Sequence, residues 1–255
     1  MNHDSSVAQD GSPVNGAAKL PSASDAPRAL EEVAVDLRRK VLDLLELQTD
    51  DELLQSLQKQ VRISMKVIED SFKRYKYKYV GAQPRGNHPG ATDTNWILSY
   101  SFEELSLSYN GGKDCLVLLV LILACLPESI PKSTDFPQTL QSIYIKSYES
   151  FDEVDGFVDT SAKEYFLDLT RYELPMREAL EEYLKKREKI KAIWIGTRRT
   201  DPNGGHLTHF DPTDGDWPRF MRIHPVIVGS IDLRWNISAL IFHLGLALRR
   251  NMGCK

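Results

Sequence analysis

The stretch Leu105–Leu126, LSLSYNGGKDCLVLLVLILACL, decides the fold. Leu105, Ser106 and Leu107 alternate as a short strand does, and the run from Cys115 to Leu126 is apolar on every side, as a buried helix is. That run is too short to cross a bilayer. Between them, Asn110-Gly111-Gly112-Lys113-Asp114 leaves the strand and enters the helix. Backbone N–H groups at such a junction sit at the positive end of the helix and favour an anion, phosphate above all. The glycines allow close backbone approach, Lys113 supplies a point charge, and Asp114 can act on a metal ion that phosphates also bind. The spacing is not that of a Walker A loop. A plain tight turn, with Asp114 as an N-terminal helix charge, is the alternative.

Working outward, strands are expected near 142–146, 165–169 and 192–196, with helices near 151–160 and 175–189 between them. Strands alternating with helices at this spacing predict an α/β fold, a Rossmann-like parallel sheet flanked by helices. In such sheets ligands collect at the carboxyl ends of the strands. Upstream, 29–75 carries helix-spaced apolar residues with a break at Thr49-Asp50-Asp51, so two N-terminal helices are expected. Residues 1–27, rich in Ser, Ala, Gly, Pro and Asp, read as a disordered tail. The division expected is a helical segment at 28–80 packing on the core, a loop at 81–95, and an α/β domain at 96–255.

The chain has 255 residues and a net charge of -4, which gives nucleic acid and anionic membrane no overall attraction. RYKYKYV at 74–80 alternates basic and aromatic side chains, yet within an acidic chain it reads as a helix end or short strand with Lys76 and Lys78 in water. Cys115, Cys125 and Cys254 form no C-x-x-C pair, which argues against a zinc knuckle or redox dithiol. The amino terminus lacks a basic and apolar leader, so a soluble, cytoplasmic protein is expected.

Two later segments carry chemistry. IWIGTRRTDP at 193–202 follows a strand; Gly196 allows close approach, Arg198 and Arg199 suit phosphate, and Asp201 suits Mg2+ or the orientation of a donor. TDGDWPRFMRIHP at 213–225 combines Asp214, Trp217, Phe220 and Arg222, the mixture of flat apolar faces and charge that a heteroaromatic phosphate ligand wants. A solvated basic pair, and a surface loop pinned by Trp217 and Phe220, are the respective alternatives. His206 and His209 have H-x-x-H spacing without a completing carboxylate or thiol set. Tyr148, Glu149 and Phe151 follow a strand end and suit an adenine pocket or simple packing.

Together SYNGGKDCLVLL, IYIKSYESFDEVDGFV at 143–158, YFLDLTRYELPMREALEEYL at 165–184, AIWIGTRRTDP and TDGDWPRFMRIHPV resemble the eukaryotic FMN adenylyltransferases, the FAD synthetases of PAPS reductase-like type within the adenine nucleotide alpha-hydrolase superfamily. The resemblance covers about half the chain, from Tyr100 to Ile227. It implies ATP and FMN as substrates, FAD as product and Mg2+ as cofactor. It implies ATP contacts at Ser108, Asn110, Gly111, Gly112, Lys113, Asp114, Gly196 and Arg198, and FMN contacts at Asp214, Trp217, Phe220 and Arg222. Asn110, Asp114, Arg198 and Asp201 would carry catalysis, and Asp114 and Asp201 would hold Mg2+. A monomer acting on small molecules is expected, with neither nucleic acid nor membrane as partner.

The carboxyl end departs from that pattern. VIVGSIDLRWNISALIFHLGLALRRNMGCK at 226–255 holds only echoes of the family's Asp-Trp segment, in Asp232 and Trp235, and reads as a shortened end. The alternatives are therefore a nucleotide- or flavin-binding form with impaired turnover, or another ATP-splitting member such as a PAPS reductase-like enzyme. For the reductase, the setting of Cys254 does not match.

Overall fold

The computed structural model describes residues 29–75, 77–84, 94–100, 102–131, 135–146, 151–227 and 244. Helices α1, Leu30–Glu46, and α2, Glu52–Tyr75, form where the two amphipathic patterns run. Asp51 starts α2 by accepting the N–H groups of Leu53 at 2.8 Å and Leu54 at 3.4 Å. The freed carbonyls at the end of α1 are taken by side chains of α2. Gln58 Nε2 donates to Leu44 and Leu47, at 2.9 and 2.7 Å, and Arg62 donates to Leu45 at 2.6 Å.

Helix α3, Lys113–Ser129, is buried along its whole run from Cys115 to Leu126. Helices α1 and α2 cover it from one side, and the sheet closes the other. That cover explains the missing polar face. Helix α2 also reaches the sheet: Trp194 donates to Ser71 Oγ at 2.9 Å, and Phe72 meets both Phe102 and Trp194 edge-on with ring centres 5.4 Å apart.

The main sheet comprises β3 (Leu105–Ser108), β4 (Leu140–Ile145), β5 (Leu167–Tyr172), β6 (Ala192–Trp194), β7 (Phe210–Pro212) and β8 (Met221–Ile223). Its order is β5-β4-β3-β6-β8-β7, and every pairing is parallel except β7 with β8. From β3 the chain moves outward through β4 and β5, then crosses to β6 on the other side of β3. Helix α4, Asp152–Glu164, joins the α3 side through Val158, while α5, Met176–Lys186, packs on the opposite face with Ile143, Tyr172, Ile193 and Phe220.

The α/β, Rossmann-like fold with N-terminal helices is therefore observed, with one correction: the sheet is mixed at its edge. Strands β7 and β8 are three residues each, too short for alternation to reveal them. Residues read as a loop at 81–95 also contribute to a separate hairpin. Strand β1, Tyr77–Pro84, pairs antiparallel with β2, Thr94–Tyr100, from Tyr77 with Tyr100 to Pro84 with Thr94. Gly81 and Pro84 suggested a loop by composition, but the partner segment TNWILSY is strand-prone and sets the pairing. The tail 1–27, the remainder of that loop at 85–93, Lys76, Tyr148, Glu149, Cys254 and the carboxyl segment 228–255 apart from Leu244 lie outside the described residues. Among the described residues no helix is long and apolar enough to cross a membrane.

Candidate functional site

Because the chain leaves β3 toward β4 on one side and returns as β6 on the other, the loops after β3 and β6 face each other across the switch point of the sheet. The first loop is built by two unusual approaches. Gly111 has a φ of 72°, and a Cβ there would lie 2.7 Å from Val158 Cγ2 on α4. Only glycine fits this position without strain. Asn110 folds its side chain back so that Oδ1 accepts the N–H of Gly112 at 2.9 Å, which closes the turn into α3. Beneath it, buried Tyr109 donates to Ser161 Oγ at 2.8 Å, tying the loop to α4.

The second loop lies directly on the first turn of α3. A Cβ on Gly196 would lie 3.0 Å from Cys115 Sγ and 3.3 Å from the Cys115 nitrogen, so the glycine permits this contact of backbones. The Cys115 thiol is pushed up to about 11 by burial, against the pull of backbone N–H groups at Asn110 and Gly196. It is a packed thiol between the loops, and burial favours its neutral form.

Arg198 then enters between two carboxylates. Its Nε lies 3.4 Å from Asp114 Oδ2, and its Nε and Nη2 donate to Asp201 Oδ1 at 3.2 and 3.0 Å. The Arg198 backbone N–H also donates to Asp201 Oδ2 at 2.8 Å. Among the described residues these partners take Nε and Nη2 and leave Nη1 for a ligand. Burial raises the Asp114 carboxyl above its ordinary value, Arg198 and Lys113 pull it back, and Asp201 adds to the rise. Asp114 Oδ1 is buried without a hydrogen-bond partner among the described residues. An acceptor in that state suits a cation or a donor brought by a ligand.

Asp114, Arg198 and Asp201 are thus joined by direct contacts, Gly196 lies on the first turn of α3, and Ser108, Asn110, Gly111, Gly112 and Lys113 run in the chain from the end of β3 into that turn. Arg199 is used otherwise. Its Nη1 donates to the carbonyls of Gly204, Gly205 and Leu207 at 3.5, 3.0 and 2.6 Å, which closes the following loop instead of facing phosphate. Phe151 is exposed at the start of α4. Among the described residues no cluster of His, Cys, Asp and Glu has the makings of a complete metal cage. His209 pairs with His224 and not with His206, its Nδ1 lying 3.0 Å from the His224 carbonyl.

The 213–220 turn stands apart. It joins β7 to β8 where Met221 pairs with Ala192, at the amino end of β6, whereas Gly196 follows its carboxyl end. The offset is about 10 Å, the rise of a three-residue strand. There Arg222 holds Asp214, with Nη1 3.3 Å from Oδ2, and donates to the Pro212 carbonyl at 2.9 Å. Trp217 is 37 % exposed, while Phe220 is 8 % exposed and belongs to the core under α5. Sequence reasoning missed the contributions of Val158, Ser161 and Cys115, because a tertiary contact beneath a glycine leaves no local pattern.

Residues 104–179 match the model of the phosphoadenosine phosphosulfate reductase domain. A probable FAD synthase of Schizosaccharomyces pombe is 34 % identical over 187 residues, covering 73 % of this chain and 61 % of that protein. The flavin adenine dinucleotide synthase of Saccharomyces cerevisiae is 35 % identical over 150 residues, covering 52 % of this chain and 49 % of its own length. The chain thus spans about three fifths of the first and about half of the second. Among solved structures, Candida glabrata FMN adenylyltransferase in complex with FAD and inorganic pyrophosphate aligns with a TM-score of 0.67 at 27 % identity, over 84 % of this chain and 66 % of that one. Yeast FAD synthetase in complex with FAD aligns with a TM-score of 0.67 at 28 % identity, over 84 % of this chain and 68 % of that one. By sequence and by fold, the chain is similar to these fungal FAD synthases and FMN adenylyltransferases over the parts that align.

Proposed function

We propose that the chain transfers the adenylyl group of ATP to FMN, giving FAD and pyrophosphate, the last step of FAD biosynthesis. One observation carries the reading: Asp114, Arg198 and Asp201 converge with the start of α3 at the switch point, where a triphosphate finds both N–H donors and a cation. The similarity to Candida glabrata FMN adenylyltransferase, solved with FAD and inorganic pyrophosphate, supports the same reaction.

In this reading the FMN phosphate oxygen attacks the α-phosphorus of ATP as the bond to the leaving pyrophosphate breaks. Positioning and charge neutralisation do the catalytic work. Backbone N–H groups from Gly111 to Lys113 hold the pyrophosphate, and Arg198 opposes charge on the transferring group. Asn110 keeps that loop in its turn, and Ser108 and Gly196 bound the pocket. Asp114, with its unpartnered Oδ1, is the residue that fits Mg2+, which would neutralise the phosphates it shares. Asp201 has both oxygens on Arg198 and little left for a metal. The flavin lies toward the β7–β8 turn, against exposed Trp217 and the Asp214–Arg222 pair, with its phosphate reaching back to the switch point. Phe220 supports that turn from the core. Net acidity disfavours nucleic acid and anionic membrane as partners, and a monomeric cytoplasmic enzyme acting on small molecules is proposed with this activity.

The test is chromatographic detection of FAD after incubation of the purified chain with FMN, ATP and Mg2+, beside Arg198→Ala. Removal of one such donor is expected to slow turnover by about 100- to 1000-fold without loss of fold. A folded parent that binds ATP and makes no FAD would reduce the reading to a nucleotide-binding module.

A further inference from the structure

The two acidic residues beside Arg198 differ in a way their shared motif reading hides. Asp201 gives its whole carboxylate to one residue: Oδ2 accepts the Arg198 backbone N–H, and Oδ1 accepts Nε and Nη2. The same turn is closed by the Asp201 N–H on the Arg198 carbonyl at 3.1 Å and by the Gly204 N–H on the Asp201 carbonyl at 2.9 Å. Gly204 is pressed so close that a Cβ there would lie 2.2 Å from the Arg198 carbonyl oxygen. From the far side, Arg199 binds three carbonyls of the 204–207 segment, and its N–H donates to Ile227 at 3.0 Å. The loop therefore fixes both the main chain and the side chain of Arg198. Asp114 touches the same guanidinium at one oxygen and leaves the other buried and, among the described residues, unpartnered.

We propose a division of labour, resting on the adenylyltransferase reading: Asp201 is a positioning residue that aims Arg198 Nη1 into the phosphate site, and Asp114 alone serves the cation. An arginine stem has several free rotations, and ordering it before the ligand arrives removes that cost from the bound state. A carboxylate whose oxygens accept three N–H groups from one arginine has one free lone-pair direction left. An octahedral Mg2+ site draws instead on an open oxygen, as Asp114 Oδ1 is.

The experiment is a double-mutant cycle on Arg198→Ala and Asp201→Asn, with the Mg2+ dependence read for each variant and for Asp114→Asn. Asp201→Asn is expected to lower kcat by about 100-fold, the effect of one misplaced donor, with little change in KM for FMN and the same Mg2+ half-saturation. The double variant should be no worse than Arg198→Ala alone, because both changes remove one function. Asp114→Asn, in contrast, should raise the Mg2+ needed. Additive losses in the cycle, or a several-fold rise in Mg2+ half-saturation for Asp201→Asn, would overturn the assignment. Equilibrium binding of ATP to the same four proteins repeats the cycle without turnover. A parent that makes no FAD thus removes the adenylyltransferase reading, while the coupling of Asp201 to Arg198 is still decided. Asp201→Glu, judged by thermal melting beside Asp201→Asn, separates misplacement from a failure to fold.

Discussion

Gly111 shows how much of the loop is decided at one α-carbon. Its φ of 72° costs any other residue about 1–2 kcal/mol, and Val158 Cγ2 occupies the place of a Cβ. Gly111→Ala is therefore expected to lower both stability and ATP affinity. Adding Val158→Ala should recover part of each by relieving the clash, which urea melts and ATP titration would measure. Asp114 presents the opposite case, a residue kept at a cost. Its raised carboxyl means that the fold favours the neutral form, a contribution present below about pH 3.8 and lost as pH rises through the shifted value. Asp114→Asn should then melt no lower than the parent at pH 7 while losing turnover. A lower melting temperature would contradict the assigned burial cost. The glycine turn from β3 into α3 was legible, since its chemistry is local. That Arg198 is embraced by Asp114 and Asp201 while Arg199 builds the next loop was not, since adjacent arginines look alike until tertiary partners separate them.

Among elements, α1 and α2 form a unit whose joint is polar. Gln58 satisfies two carbonyls at the end of α1 from a buried position on α2. Gln58→Ala leaves those groups unpaired at a cost of about 1–3 kcal/mol. A fall in urea midpoint with unchanged turnover per folded molecule is the expected result. The long elements were visible in advance because their apolar residues repeat over several turns, and the break at Thr49-Asp50-Asp51 marked the joint. Strands β7 and β8 were hidden for the converse reason. Three residues such as Met221, Arg222 and Ile223 carry too little pattern, and it is pairing with β6 and β7 that makes them a strand. With them went the position of the 213–220 turn, so the sequence named Asp214, Trp217 and Arg222 without their distance from the loop after β3.

Across the whole molecule, pH dependence gathers at a buried imidazole. His224 is 1 % exposed, neither ring nitrogen has a hydrogen-bond partner among the described residues, and burial lowers its pKa from 6.5 to about 4. Asp211, 4.0 Å away, opposes that shift, while Arg222 and His209 add to it. The unfolded chain takes up the proton first, so stability is full above pH 6.5 and falls as pH drops toward 4, by up to about 3 kcal/mol. His224→Phe should flatten the fall in a series of melts between pH 7 and 4. The α/β plan was legible at this scale because α3, apolar all round, could only be interior. That burial also bears on biosynthesis. Helices α1 and α2 leave the ribosome before α3, so a nascent chain already holds the cover for its greasiest segment when that segment emerges. Moving the two helices behind the sheet by circular permutation would leave α3 uncovered during translation, and chaperone demand would rise although the finished contacts were the same.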